Sequence, residues 1–195
     1  MIHQKMNAPT QQEALGSDNQ IPDEVEIFLI AALSVDGYIA HEADEIAMWT
    51  SKEDKQRFIK LTKDAGIMIM GATTFNTLPK PLKGRHHVIY SRTQKYEDRW
   101  PDDSVETTDS APAELIAALR AKGYKKIAIC GGKSIYSLFL QSGLVTKLYL
   151  TFEPIVFGSG IKLCDGDILG DLKLRLDKTE TTPSGTLFLD YSVIR

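Results

Sequence analysis

The sequence is short of cysteine, of long apolar runs and of excess positive charge, and each shortage excludes a class of protein. Its two cysteines, Cys130 and Cys164, do not form the pattern of a disulfide framework or a zinc knuckle, so we predict no metal site. No apolar stretch reaches membrane-spanning length, and the N-terminus lacks the apolar core of a signal peptide. The formal net charge of −3 argues against nucleic acid or a membrane surface as a partner. We therefore expect a protein of the reducing cytoplasm.

The length and composition fit one domain behind a polar extension. The 195 residues are 43% hydrophobic, which is enough for one sizeable core. Residues 1–23 are rich in Gln, Asn, Asp and Pro and have few apolar side chains to bury, so we predict a disordered N-terminal extension. Residues 24–195 are predicted to form the single domain, without internal repeats.

Apolar runs of strand length alternate with helical patterns along this domain. The runs lack polar alternation, which is typical of strands covered on both faces of a parallel sheet. Residues 172–179 and 186–194 are predicted to be two further strands joined by a hairpin loop, whereas residues 93–110 are predicted to be a polar loop. The pattern predicts a three-layer α/β/α fold with a mostly parallel central sheet and antiparallel C-terminal strands. The buried runs lie at residues 26–33, 67–70, 86–90, 127–130 and 145–152.

A strand followed by two glycines and a helix is the most informative stretch. The apolar strand at residues 127–130 is ended by Gly131 and Gly132, and an apolar helical face follows. Glycine has no Cβ, and the free N–H groups of a first helical turn point toward an anion, so this turn can bring backbone close to a phosphate. Such a pair can also simply close a strand–helix corner, and alone it does not decide between the two roles. A second unit of the same kind, in which Gly71 ends a strand, favours the phosphate interpretation.

Five segments, in the right order, resemble the dihydrofolate reductase fold. Residues 30–40 resemble the family's first strand and the loop that covers the nicotinamide, and residues 148–151 match a later strand. Residues 70–75, Met-Gly-Ala-Thr-Thr-Phe, resemble its Met-Gly-Arg-x-Thr-Trp cofactor motif. Residues 81–85, Pro-Leu-Lys-Gly-Arg, resemble Pro-Leu-Pro-Gly-Arg, and residues 131–136 resemble the Gly-Gly…Tyr pyrophosphate motif. The resemblance implies the family's fold and a nicotinamide-dependent reductase.

Two branches of this superfamily compete for the chain. Asp-Gly at residues 36–37 and Pro-x-x-x-Gly-x-Gly at residues 154–160 are similar to the reductase domain of the riboflavin-pathway deaminase–reductase, which we favour. Trp49, Asp54 and Phe58 keep the spacing of folate reductases, so reduction of 7,8-dihydrofolate is the alternative. The deaminase zinc signature, His-x-Glu with Pro-Cys-x-x-Cys, is absent from the sequence, which predicts a stand-alone reductase. An alternative of another class is a nucleotide-binding protein that has kept the fold and lost catalysis.

The resemblance implies NADPH as the cofactor, held by strand ends and glycine turns. The backbone at Ala32 would hold the carboxamide, and Tyr136 would pack beside the nicotinamide. Because Ala72 stands where the family usually has Arg, Ser91 and Arg92 are the predicted partners of the 2′-phosphate. The residues predicted to grip the pyrophosphate are Gly71, Thr73 and Thr74 on one side and Gly131, Gly132, Lys133 and Ser134 on the other.

The resemblance also implies a substrate site around one carboxylate. Asp54 is the predicted catalytic residue, because a half-buried carboxylate can hydrogen-bond a ring amide or amidine and keep the acceptor polarised. Its alternative role is to stabilise the helix dipole from the first turn of a helix. The other predicted substrate contacts are Trp49, Phe58, Thr151 and Arg85, the last for an anionic tail. The implied substrate is a heterocycle such as 5-amino-6-(5-phosphoribosylamino)uracil, and the riboflavin-type branch implies a possible homodimer.

Overall fold

Strands and helices alternate through most of the chain. The computed structural model describes residues 25–100, 104–165 and 171–194, so the predicted disordered extension at residues 1–23 lies outside the described residues. Within these ranges the helices are α1 (Lys52–Ala65), α2 (Ala72–Asn76), α3 (Pro112–Ala121) and α4 (Lys133–Gln141). The strands are β1 (Glu26–Ser34), β2 (Tyr38–Ala40), β3 (Ile67–Gly71), β4 (His86–Tyr90), β5 (Val105–Thr108), β6 (Lys126–Ile129), β7 (Lys147–Glu153), β8 (Ile161–Lys162), β9 (Leu174–Thr181) and β10 (Leu187–Val193).

One twisted sheet forms the centre of the described part of the chain. Its strand order is β5-β4-β3-β6-β1-β7-β10-β9, and the six strands from β5 to β7 in that order are parallel. The C-terminal strand β10 pairs antiparallel with β7, and β9 pairs antiparallel with β10. The predicted α/β fold, mostly parallel with antiparallel C-terminal strands, is therefore confirmed. Parallel strands need crossover connections, and helices supply those that follow β3, β5 and β6.

The helices cover both faces of the sheet, which gives the three predicted layers. On one face, Leu119 of α3 and Phe139 of α4 pack into a core with the alternate residues of β1 and β6. On the other face, Ala65 of α1 and Phe75 of α2 pack with Met68 and the remaining alternate residues. The central strands are apolar throughout because both of their faces are buried in this way. No helix in the described ranges is both long and apolar enough to cross a membrane.

The edges of the sheet differ from the sequence-based expectation. Residues 93–110, predicted to be a polar loop, contain β5, which extends the parallel sheet beside β4. Within the same stretch Tyr96 is 1% exposed, and its hydroxyl lies 3.2 Å from Oδ1 of Asn76. Edge strand β5 buries only Val105 fully and therefore lacks an apolar run. The C-terminal strands begin and end within two residues of the expected positions. The small difference arises because β9 is exposed along its whole length and has no burial pattern that fixes its ends.

Candidate active site

A large cavity opens at the carboxyl ends of the parallel strands. In an open α/β sheet this edge is where ligands bind, because the strand ends leave a crevice between their loops. The cavity has a volume of about 1190 Å³. Of the predicted cofactor residues, nine line it, namely Gly71, Thr73, Thr74, Ser91, Arg92, Gly132, Lys133, Ser134 and Tyr136. Residues far apart in the chain are thus brought to one crevice by the strand order.

The two glycine turns meet on the floor of this cavity. The N–H of Gly71 donates to the carbonyl of Gly131 at 2.7 Å, which joins the end of β3 to the end of β6. A Cβ at Gly131, where φ is +96°, would lie 2.9 Å from the Tyr136 hydroxyl. A Cβ at Gly132 would lie 3.0 Å from Oγ1 of Thr74. Gly131 therefore requires glycine, because of both its positive φ and this close contact, whereas a Cβ at Gly132 would be tight against Thr74.

The helix that follows the second turn presents polar groups to the cavity. Helix α4 begins at Lys133 behind Gly132, and among the described residues no side chain caps its first N–H groups. Free N–H groups at the start of a helix favour an anion. The ammonium of Lys133 lies 2.5 Å from the carboxylate of Asp165, and both side chains are partly exposed. An anion in the cavity would therefore compete with Asp165 for this ammonium.

The far end of the cavity is formed by the loops after β4 and β5. Ser91 and Arg92 follow β4, and Asp109 and Ser110 follow β5. Arg92 is exposed, and it forms no ion pair with another described residue. The predicted 2′-phosphate residues thus line the same cavity as the glycine turns and present a cation to it.

A small two-stranded sheet closes the cavity from the other side. Strand β2 pairs with β8, and Ile39, Ala40 and Ile161 from this pair line the cavity. The loop that precedes β8 is tied to the end of β1, because the carboxylate of Asp36 accepts from the N–H groups of Phe157 and Gly158 at 3.0 and 2.7 Å. The Ser34 hydroxyl and these two amides hold the pKa of Asp36 at about 2. The two motifs read from the sequence at residues 36–37 and 154–160 are therefore parts of one contact.

Asp54 lies in the first turn of α1 and is close enough to Tyr136, which lines the cavity, to act on it electrostatically. Ser51 is the N-cap of α1, and its Oγ accepts from the N–H of Asp54 at 3.1 Å. Burial raises the pKa of Asp54 above its ordinary value, and the negative charge of Glu153 adds to this effect. The hydroxyls of Thr151 and Thr50 lie close enough to oppose the shift, as does the charge of Arg57. A carboxyl group with a raised pKa keeps its proton to higher pH than an ordinary aspartate does, and it can deliver that proton to a bound molecule.

The strands beneath Asp54 bring the cofactor and substrate halves of the predicted site together. Ala32 of β1 is in register with Thr151 of β7, whose side chain is 2% exposed and faces Asp54. The hydroxyl of Tyr136 donates to the carbonyl of Ile30 at 2.6 Å, which ties α4 to β1 two residues before Ala32. The predicted carboxamide contact, Ala32, is therefore on the strand that is bound by Tyr136, a residue of the cavity, and that pairs with Thr151.

Trp49, Phe58 and Arg85 lie apart from the residues that line the large cavity. The ring of Trp49 meets Phe157 edge-on at 4.9 Å, and its buried Nε1 has no partner among the described residues. Phe58 packs at the margin of the core under α1. Arg85 is 8% exposed, and its Nη1 donates to Oγ1 of Thr62 at 3.0 Å, two helical turns from Asp54 along α1. Burial lowers the pKa of Arg85.

Two charged residues near Asp54 were not predicted from the sequence. Glu153, 3% exposed, accepts from the N–H of Ser51 and from the hydroxyl of Thr186. Arg57 pairs with Asp190 and lies with its guanidinium carbon 4.6 Å from the ring centre of Phe188. The partners of each are more than 30 residues away in the chain, so no local pattern marks either side chain. The sequence signals for this region were Asp54 itself, in the first turn of a predicted helix, and its spacing from Trp49 and Phe58.

Comparison of the sequence with known proteins finds relatives over most of the chain. A family model described as dihydrofolate reductase matches residues 26–153. The type A13 dihydrofolate reductase of Escherichia coli is 28% identical over 175 residues, which cover 88% of this chain and 95% of that protein. The type 9 enzyme of the same species is 34% identical over 124 residues, which cover 63% of this chain and 67% of that protein. The match to the bifunctional dihydrofolate reductase–thymidylate synthase of Plasmodium vinckei is 35% identical over 94 residues and spans about half of each protein, 47% and 52%.

Solved structures with a similar fold carry other names. A pyrimidine reductase-like protein from Corynebacterium diphtheriae has a TM-score of 0.71 at 21% identity, over 89% of this chain and 93% of that chain. A diaminohydroxyphosphoribosylaminopyrimidine deaminase/5-amino-6-(5-phosphoribosylamino)uracil reductase from Thermotoga maritima has a TM-score of 0.70 at 13% identity, over 88% of this chain and 57% of that chain. At these identities the two structures establish the shared fold alone.

Proposed function

Since this chain belongs to the dihydrofolate reductase family of oxidoreductases, we propose that it is an NADPH-dependent reductase of the riboflavin-pathway type. Its substrate in this proposal is a small heterocycle such as 5-amino-6-(5-phosphoribosylamino)uracil. The observation that carries the proposal is the register of Ala32 with Thr151, because it joins the glycine-lined cavity to the carboxyl group of Asp54. A dinucleotide in the cavity would then end beside a group that can hold a proton.

The shape and chemistry of the cavity fit a dinucleotide. Gly71 and Gly132 line the cavity at the ends of β3 and β6, and residues without a side chain allow a pyrophosphate to approach the backbone closely. Lys133 and the first turn of α4 supply positive charge at the same place. Arg92, beyond them, would pair with a 2′-phosphate and thereby favour NADPH over NADH. A nicotinamide bound at Ala32 would supply a hydride.

The side chains on the α1 side would control the other half of the reaction. Reduction of a C=N bond adds hydride to carbon and a proton to nitrogen, so the site needs a proton donor near the acceptor. Asp54 is suited to that role because burial raises its pKa. Trp49 and Phe58 would contact the ring of the substrate, and the buried Trp49 Nε1 offers a donor to it.

An anionic group on the substrate would meet Arg85. Its guanidinium is 8% exposed and, among the described residues, donates only to the neutral Thr62, so it forms no ion pair with a described carboxylate. Buried charges are costly unless they are paired, which favours a ligand that carries a phosphate or a carboxylate. This feature is compatible with a ribose phosphate and with the tail of a folate.

The riboflavin-type substrate is preferred because of the contact between residues 36–37 and 154–160. Both halves of that contact, the Asp36 carboxylate and the N–H groups of Phe157 and Gly158, come from the motifs that resemble the riboflavin branch. Reduction of 7,8-dihydrofolate is the second candidate, because Trp49, Asp54 and Phe58 keep the spacing of folate reductases and the relatives named above carry that name.

The decisive experiment follows oxidation of the nicotinamide at 340 nm with each substrate. We expect turnover of the ribosylaminopyrimidine with NADPH, slower turnover with NADH, and loss of turnover in Asp54→Asn. Faster turnover of dihydrofolate, with inhibition by methotrexate, would select the second candidate. Tight binding of NADPH without turnover of either compound would contradict both and indicate a nucleotide-binding protein. Size-exclusion chromatography of the same preparation would test the proposed homodimer.

A further inference from the structure

A buried carboxylate outside the predicted site lies next to Asp54. Glu153 ends β7 and is 3% exposed, so its charge has almost no access to water. Its Oε1 accepts from the N–H of Ser51 at 2.7 Å, and its Oε2 accepts from the hydroxyl of Thr186 at 2.7 Å. Both oxygens of the Glu153 carboxyl group are therefore engaged, one by a backbone amide and the other by a hydroxyl.

Two connections relate Glu153 to Asp54. Along β7, Thr151 and Glu153 are two residues apart and point to the same face of the sheet, about 6.6 Å from each other along the strand. Thr151 is the residue whose hydroxyl faces Asp54. Across α1, Ser51 donates its N–H to Glu153 and accepts from the N–H of Asp54 at 3.1 Å through its Oγ. Glu153 therefore fixes the start of the helix that carries Asp54.

We infer that Glu153 is a positioning residue of the reductase, which holds the first turn of α1 on β7 and sets a negative charge beside Asp54, so that Asp54 keeps the proton that the reaction consumes. This inference rests on the proposed function. A ribosylamine has a C=N bond in its ring-opened Schiff-base isomer, in which the ring oxygen has become a hydroxyl by taking the proton of the nitrogen, and in that reaction this C=N bond becomes a C–N single bond. Hydride adds to the carbon, the nicotinamide cofactor is oxidised, and the nitrogen takes the proton from Asp54.

The cation of α1 that acts on Asp54, Arg57, is already paired with another carboxylate. Arg57 pairs with the carboxylate of Asp190, and its Nη1 donates to the carbonyl of Leu150 at 3.3 Å. Its guanidinium also lies over the ring of Phe188 at 4.6 Å. Because these partners hold Arg57 toward β10, its charge only partly offsets that of Glu153 at Asp54.

The remaining titratable neighbour, on α4, is neutral. Tyr136 is buried and donates its hydroxyl to Ile30, and burial raises its pKa well above the ordinary value. The groups that face Asp54 are therefore the carboxylate of Glu153, the paired Arg57 and a neutral phenol. Burial and the charge of Glu153 both raise the pKa of Asp54, which agrees with the placement of these groups.

The test is the titration of Asp54 in the full-length, cofactor-free protein, followed by NMR through the ¹³C resonance of its carboxyl carbon. Glu153→Gln keeps the shape and removes the charge. Its amide oxygen can still accept from Ser51, and the Thr186 hydroxyl can rotate to accept from its amide nitrogen. We expect the Asp54 midpoint to move to lower pH by about half a unit or more in this variant.

Two further variants separate the charge from a structural effect. Thr186→Val removes one donor to Glu153 and keeps the charge, so the Asp54 midpoint should stay at or above its wild-type pH. Glu114→Gln removes an exposed carboxylate in the first turn of α3, on the opposite face of the sheet, and should leave the midpoint unchanged. An unchanged midpoint in folded Glu153→Gln overturns the inference. If Glu153→Gln does not fold, a lowered midpoint in Thr186→Val overturns it instead.

The pH profile of the active enzyme gives an independent readout. In Glu153→Gln the decline of kcat/KM with rising pH should begin at lower pH, with an unchanged KM for NADPH. A profile that keeps its position while the overall rate falls would show a merely structural role. Absence of turnover in the wild type with either substrate would contradict the proposed function, whereas the NMR titration would still decide whether Glu153 controls Asp54.

Discussion

Replacement of Gly131 by alanine tests whether the glycine turns form the cofactor site. The new Cβ would lie 2.9 Å from the Tyr136 hydroxyl and 2.9 Å from its Cζ, closer than Cβ contacts occur in proteins. The ring of Tyr136 would have to move, and its hydrogen bond to the carbonyl of Ile30 would be lost. Gly123→Ala is the matched control, because Gly123 has φ +91° against +96° at Gly131 and a Cβ there meets nothing within 4 Å.

The magnitudes follow from these two differences. Alanine in a left-handed backbone conformation costs roughly 1–2 kcal/mol, which applies equally to both variants. Loss of the buried Tyr136–Ile30 hydrogen bond adds about 1–3 kcal/mol in Gly131→Ala alone. We therefore expect the free energy of unfolding to fall by about 1–2 kcal/mol in Gly123→Ala and about 2–5 kcal/mol in Gly131→Ala. Displacement of the turn should also weaken NADPH binding roughly 10- to 150-fold, the equivalent of one hydrogen bond to a charged group.

Urea unfolding and fluorescence titration with NADPH measure the two effects separately. Gly123→Ala should bind NADPH as the wild type does, because Gly123 lies between α3 and β6 and does not line the cavity. Equal affinity for NADPH in folded Gly131→Ala and Gly123→Ala would refute the assignment of the turn to the cofactor. Equal destabilisation of the two would refute the steric argument.

Three further predictions concern charged side chains of the site. Arg92→Ala should weaken NADPH binding roughly 10- to 150-fold and leave NADH binding unchanged, measured by the same titration. Asp54→Asn should lower kcat/KM roughly 100- to 10,000-fold. The pKa of Asp54 is raised in the folded state, so its contribution to the free energy of unfolding is present below the ordinary Asp range and is lost as pH rises through the raised pKa. Urea unfolding should therefore show that the wild type loses stability relative to Asp54→Asn as pH rises. The pKa of Asp36 is lowered to about 2, so its hydrogen bonds from the N–H groups of Phe157 and Gly158 should persist at neutral pH and weaken as pH falls through that value. Asp36→Asn should speed hydrogen exchange of these two amides at neutral pH.

The central sheet could be predicted because its strands are buried on both faces. The residues of β1 and β3 form unbroken apolar runs of strand length, and such runs are typical of strands buried inside a parallel sheet. The expected superfamily is confirmed by the family match and by the fold. The edges gave no such signal. Strand β5 has one buried residue among four, and β8 has two residues in all, so each depends on its neighbour and not on its own pattern.

The two halves of the site differ in the same way. The proposed cofactor half is built from backbone at strand ends, and its residues were predicted from short motifs such as those at Gly71 and Gly131, which the fold brings into contact. The substrate half is built from side chains that meet across the fold. Ser51 and Glu153 are separated by 102 residues, and nothing in either segment alone indicates that they bind each other.

This difference determines where substrate choice is encoded. Arg85, the proposed contact for an anionic tail, donates to Thr62 on the same helix that carries Asp54, and the start of that helix is fixed by Glu153. A change at the β7–α1 contact would therefore alter two things at once, the environment of Asp54 and the position of the helix that binds Arg85. The glycine turns at the other strand ends would keep their geometry. Substitutions around Glu153 and Thr186 should change the substrate preference and the pH profile without changing the preference for NADPH over NADH. Substitutions around Arg92 should do the reverse, because the two groups of residues share only the strands between them.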